Sequence, residues 1–167
     1  GCMNRKVELS EENYDLLDEV IHQLCEQGRL LEEQNAMQHG STSVYEHSVN
    51  VAYKSLLLVE NYRLPVDKQS LVRGALLHDY FLYDWHEKDG GHRLHGFFHA
   101  ERALHNARRD FNLNFIERDI IRKHMFPLNI TPPKFRESWI VTWADKLCAA
   151  EETTRALRLA FTKTARG

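Results

Sequence analysis

The run Gly74-Ala75-Leu76-Leu77-His78-Asp79 constrains this chain more than any other stretch. It closes an apolar helical segment with an imidazole and a carboxylate side by side. Burying such a pair is costly unless the groups are paired or bound to a metal. A fold that accepts this sequence must therefore bring partners to it. Candidates lie at wide intervals: His47 upstream, then His99, His124 and Asp145 downstream. A mixed histidine and carboxylate set suits Zn, Mn, Fe or Ni better than a soft-metal site. Taken alone, the pair reads as a helix-capping His78 beside an Asp79 that meets an arginine. Six such residues together point to a metal centre.

The surrounding pattern is helical. Ser10-Glu11-Glu12 is a helix start, with a capping serine and acids in the first turn. Tyr14, Leu17, Val20, Ile21 and Leu24 recur at helical spacing before Gly28. A short helix is predicted from Leu30 to about Met37, and a third from Val44 to about Tyr62. A fourth runs from Asp67 to Leu82. The stretch Tyr83 to Leu94, with Asp89-Gly90-Gly91, reads as an irregular loop over a site. A fifth helix follows His99, a sixth runs from Phe115 to about Met125, and a last one from Arg136 to about Phe161, with a frayed tail. No strand alternation is visible. The fold class predicted is all-α, a bundle of about six or seven helices forming one domain over 1–167, with its core at about 30–161.

Composition narrows the function. The 167 residues carry a net charge of −2, so no basic surplus advertises nucleic acid or an anionic membrane. No apolar run approaches the ~20 residues of a membrane span. Ten histidines, dispersed along the chain, support the metal argument. The three cysteines, Cys2, Cys25 and Cys148, lack CxxC spacing and read as reduced thiols of a cytoplasmic protein, with Cys148 in the core.

Each candidate ligand sits in or at the end of a predicted helix. His124 closes Ile120-Ile121-Arg122-Lys123, and Asp145 follows the apolar Trp139-Ile140-Val141-Thr142-Trp143-Ala144. Local spacing cannot assemble residues spread over such a distance. The order His47, His78-Asp79, His99, His124, Asp145 resembles the HD-domain superfamily of metal-dependent phosphohydrolases. The likeness runs from about Val44 to Glu152. Leu76-Leu77-His78-Asp79 and Thr142-Trp143-Ala144-Asp145-Lys146 carry it most specifically.

The resemblance implies an all-helical bundle and one or two divalent metals, Fe, Mn, Ni or Zn, with Mg as a further candidate. It maps a first metal onto His47, His78, Asp79 and Asp145. A second metal maps onto His99 and His124, with Asp79 as the bridge. His95, four residues before His99, competes for that role. His99-Ala100-Glu101-Arg102-Ala103 resembles the helix start of two-metal cyclic-dinucleotide phosphodiesterases. Leu94-His95-Gly96 resembles bacterial HD-type diadenosine tetraphosphate hydrolases. The chain departs from many phosphodiesterase members after the pair, reading Tyr80-Phe81-Leu82 where they have Ile-Gly-Lys, and it lacks their GYP signature.

The function implied is hydrolysis of a phosphoester or phosphoanhydride bond of a small molecule, with a nucleotide expected, through a metal-bound hydroxide. Asp79 and Lys146 are the catalytic candidates. Arg73, Arg102 and Lys123 are further cations for a phosphate, and Tyr83 and Trp85 are candidates to stack on a base. The alternative is a non-catalytic HD module that binds a metal or ligand and signals to a partner. No membrane or nucleic-acid partner is expected, and assembly into an oligomer is left open.

Overall fold

In the computed structural model the structure describes residues 6–31, 37–39, 42–80 and 92–166. Six helices and one small strand pair make up the described elements. They are α1 (Glu11–Gln27), β1 (Met37–His39), β2 (Thr42–Ser43), α2 (Val44–Tyr62), α3 (Lys68–Leu77), α4 (His92–Asp110), α5 (Phe115–Lys123) and α6 (Arg136–Arg166). The fold is all-α. The β1–β2 antiparallel pair is a local addition the sequence did not announce. Its strands are too short to show alternation, and they are held by backbone pairing.

Side chains start the helices. Ser10, Ser43, Asp67 and Asn114 each accept from a backbone N–H three residues on, which satisfies an orphan donor of the first turn. At α5 the cap is reciprocal, because Glu117 also takes the Asn114 N–H at 3.0 Å. Glu60 anchors α1 to α2 by accepting from Ser10 Oγ and Asn13 Nδ2, both at 2.6 Å.

Helix α2 packs on α3 and α6, and α5 lies against α3, α4 and α6. The core between them holds Leu56, Leu71, Leu76, Ile120, Ile121 and Val141. Gly74 lets α3 and α5 meet closely. A Cβ at that position would stand 2.4 Å from Ile120 Cδ1. This seam aligns the ends of α3 and α5, which both carry candidate ligands.

Several predicted boundaries move. Helix α3 ends at Leu77, five residues before the predicted Leu82, and His78 to Tyr80 form a turn. Helix α4 begins at His92, not after His99, so the residues read as loop up to Leu94 and Gly96 itself are helical from His92 on. A single interior glycine costs only about 1 kcal/mol, which a long helix absorbs. Helix α6 continues through the predicted frayed tail to Arg166. There Thr162 and Thr164 donate their hydroxyls to carbonyls four residues back, at 2.8 and 3.0 Å. Most of the predicted Leu30–Met37 helix lies outside the described residues, and its last residue, Met37, is in a strand.

Candidate metal centre

Three helices and the turns that close two others converge. His47 comes from the first turns of α2, His78 and Asp79 from the end of α3, His99 from α4, His124 from the end of α5, and Asp145 from α6. His47, His78, Asp79 and His124 are buried. The side chains of His99 and Asp145 are 14% and 16% exposed, so the cluster opens on their side.

Asp79 is the hub, and its two oxygens divide the histidines. Oδ2 lies 3.2 Å from His78 Nε2 and 3.8 Å from His47 Nε2. Oδ1 lies 2.7 Å from His99 Nε2 and 3.2 Å from His124 Nε2. Asp145 Oδ1 completes the first half, at 2.8 Å from His47 Nε2 and 3.3 Å from His78 Nε2. Donors around one ion at roughly 2.0–2.2 Å must themselves lie about 3–3.5 Å apart. Three overlapping trios bring their donor atoms within 4.8 Å of one another, near that spacing: His47, His78 and Asp79; His78, His124 and Asp145; Asp79, His99 and His124.

The ring orientations are fixed from outside. His78 Nδ1 lies 2.6 Å from the Ala75 carbonyl, and His124 Nδ1 lies 2.7 Å from the Ile121 carbonyl. A carbonyl only accepts, so each Nδ1 carries a hydrogen and each Nε2, directed inward, is the nitrogen that could offer a lone pair to a metal. Both Nε2 atoms are fully buried and make no hydrogen bond. Two orphaned imidazole nitrogens facing carboxylates are what a divalent cation would satisfy. The donor set therefore fits a divalent metal.

Without an ion the cluster is an ion-pair network. Burial works against a charged His47, yet hydrogen bonds to Asp145 and Glu152 prevail and raise its pKa to about 9. His78 is likewise raised, against burial, by Asp79 and Asp145. Asp79 and Asp145 are held well below the usual carboxylate range; burial opposes this and the facing histidines win. His124 goes the other way, because burial outweighs Asp79.

The other named candidates are placed differently. Lys146 is half-buried, with Nζ 3.4 Å from the His124 main-chain carbonyl, and it lines a groove on the far side of α6. Arg73 donates to Glu117 at 2.7 Å and to the Asn112 carbonyl at 3.1 Å, bracing α3 against α5. Lys123 pairs with Asp119 at 3.3 Å, and Arg102 is exposed on α4. Apart from the Lys146 contact with the His124 main chain, none of these contacts is to a cluster residue. Tyr83 and Trp85 lie outside the described residues, as does the side chain of His95, whose backbone stands one turn before His99 on α4. Cys148 is buried, and burial pushes its thiol up to about 12, which suits core packing.

Two residues at the site escaped the sequence reading. Tyr80, next to Asp79, is fully buried; its hydroxyl donates to Asp110 at 2.6 Å and accepts from the Arg29 N–H at 3.0 Å. Its carbonyl takes a bond from Asn106 at 3.3 Å. Tyr80 thus pins the turn that carries His78 and Asp79. Its place beside the pair was visible, but its partners were not. Glu152 is buried with a carboxylate oxygen 2.8 Å from His47 Nδ1. Its spacing of seven from Asp145, two helical turns, was the available signal.

The HD domain family model matches residues 44–150, nearly two thirds of the chain and all six cluster residues. The chain belongs to the HD-domain family. The HD domain is all-helical, as observed here, and points to the metal-dependent phosphohydrolase type of superfamily. No curated protein and no solved structure matches this HD-domain chain. No described helix is long and apolar enough to cross a membrane.

Proposed function

We propose that this HD domain is a metal-dependent phosphohydrolase that cleaves a phosphoester or phosphoanhydride bond of a small molecule, a nucleotide in the first instance. His47, His78, Asp79 and Asp145 would hold a first divalent metal. His99 and His124 would hold a second, with Asp79 shared. Fe, Mn, Ni and Zn suit these donors, and Mg is a further candidate. The observation that carries the reading is the division of Asp79, whose Oδ2 faces His47 and His78 while Oδ1 faces His99 and His124.

When bound, such metals supply a nucleophile from water at neutral pH and offset charge on phosphoryl oxygens. The chain's own residues do the rest. The Ala75 and Ile121 carbonyls keep His78 and His124 aimed inward. Burial of His47 and Asp79 keeps bulk water from competing for their donor atoms. The edge formed by His99 and Asp145 is where a phosphate enters. In this reading Lys146 leaves its 3.4 Å contact with the His124 carbonyl to assist that phosphate.

The test is a panel of nucleotides and simple phosphoesters assayed in Mn, Ni, Mg, Zn and Fe(II), after metal analysis of protein purified without added metal. Metal-dependent release of phosphate or a nucleoside monophosphate is expected. A fully metallated protein inert on the whole panel would favour the non-catalytic module instead.

A further inference from the structure

We propose that Glu152 is a positioning residue for His47 and sets the metal affinity of the half-site containing His47, His78 and Asp145. The inference rests on the metal-centre reading above. It concerns a residue just past the matched stretch of 44–150.

The geometry separates His47 from its neighbours. His78 and His124 take their orientation from backbone carbonyls. His47 takes it from a carboxylate, with Nδ1 2.8 Å from Glu152 Oε2 and 3.1 Å from Oε1. Asn50, one turn after His47, donates to Oε1 at 3.3 Å and steadies the acid. Glu152 is only 3% exposed, and a buried carboxylate persists only when it is partnered. Its partner is the outer nitrogen of a candidate ligand whose inner nitrogen points at Asp145.

The consequence differs from that of a carbonyl. Glu152 can only accept when ionised, so it fixes the hydrogen on Nδ1 and leaves Nε2 to the centre. Its full charge also makes the imidazole a stronger donor than a carbonyl partner would. Outer partners of this kind are typically worth about 10–100-fold in metal affinity. The rival account makes Glu152 a mere strut between α2 and α6. A strut predicts loss of stability with no preference between the two half-sites.

The experiment measures Mn²⁺ affinity and stoichiometry by chelator competition for the full chain and for Glu152→Ala, Glu152→Gln, His47→Ala and the His47→Ala/Glu152→Ala pair. Metal-free thermal unfolding and the ¹⁵N ring shifts of His47 are read alongside. Glu152→Ala should weaken one Mn²⁺ equivalent about 10–100-fold and leave the other unchanged. Glu152→Gln, which still accepts from Nδ1 but lacks the charge, should keep the ring shifts and fall between. In the double variant the Glu152 change should add nothing to His47→Ala. Equal weakening of both equivalents, or wild-type affinity in Glu152→Ala and Glu152→Gln, overturns the inference alone. A wild-type chain that binds no Mn²⁺ or other divalent metal overturns the metal-centre reading and this inference with it.

Discussion

Helix α6 has two unlike faces. One presents Asp145, Cys148 and Glu152 to the interior and to the histidine cluster. The other carries Trp139, Trp143 and Leu147, at a spacing of four, into a groove of about 990 Å³ that none of the six cluster residues lines. Trp143 there is 62% exposed. The first face buries charge and the second exposes apolar rings, so both depart from the usual partition. Cavity size alone would direct attention to the groove. Donor chemistry, orphaned nitrogens and fixed tautomers direct it to the cluster. Space is cheap on a protein surface, whereas a buried carboxylate among four imidazoles is expensive and needs a reason.

The largest expected effect tests that contrast directly. Asp79→Ala should remove both metals, because the two Asp79 oxygens face the two halves, and lower turnover by about three orders of magnitude or more. Metal content by mass spectrometry and the phosphate-release assay check this. Full metal retention would dissolve the distinction between the two faces. Next, His99→Ala should lose one metal equivalent while His95→Ala keeps both. Equal stoichiometry in the two variants would remove His99 from its proposed role.

Gly74→Ala probes the scaffold under the cluster. The new methyl would meet Ile120 at 2.4 Å, and overpacking of this kind costs about 1–3 kcal/mol. A melting temperature lower by about 3–10 °C is expected by calorimetry. No change would mean that the α3–α5 seam yields easily and does not hold the ligands in place.

The far face of α6 should respond weakly. Trp143→Ala should leave metal content unchanged and shift stability by no more than about 1 kcal/mol. Lys146→Ala should also retain metal but lower kcat roughly tenfold if the lysine reaches the phosphate. An unchanged kcat would assign Lys146 wholly to the groove. The smallest effect lies away from both faces, at Asp110. Arg109 first, then Tyr80 and Arg29, hold its carboxyl below the ordinary value, against burial. Its stabilisation is therefore present above the unfolded pKa of about 3.9 and is lost as pH falls through the lower folded value. Asp110→Asn should remove up to about 1 kcal/mol near neutrality and nothing in strong acid, by urea unfolding at the two pH values.

Much of this was legible in the residues. Periodicity located α1, α2 and α5 closely, helped at α1 by the Ser10 cap; the caps at Ser43 and Asn114 emerged only in the structure. The six cluster residues could be named because polar groups in apolar helical settings stand out against their neighbours. What failed to show was long-range or backbone-borne. The β1–β2 pair is made by main-chain groups and leaves no side-chain pattern. The His47–Glu152 contact spans 105 positions, and the spacing of Glu152 from Asp145 does not by itself name His47 as its partner. Arg73 looked like a phosphate cation because its partner, Glu117, belongs to a different helix.

His78 and His124 occupy the same position on two helices, each the residue that closes its C-terminal end, and their rings stand 4.9 Å apart. A helix carries roughly half a negative charge at that end. Helices α3 and α5 therefore aim two negative poles at one point. The last-turn carbonyls pass that polarity through the imidazoles they hold, so the attraction for a cation is partly a property of the main chain. It persists in any variant that keeps these two helices in register, even one stripped of a carboxylate.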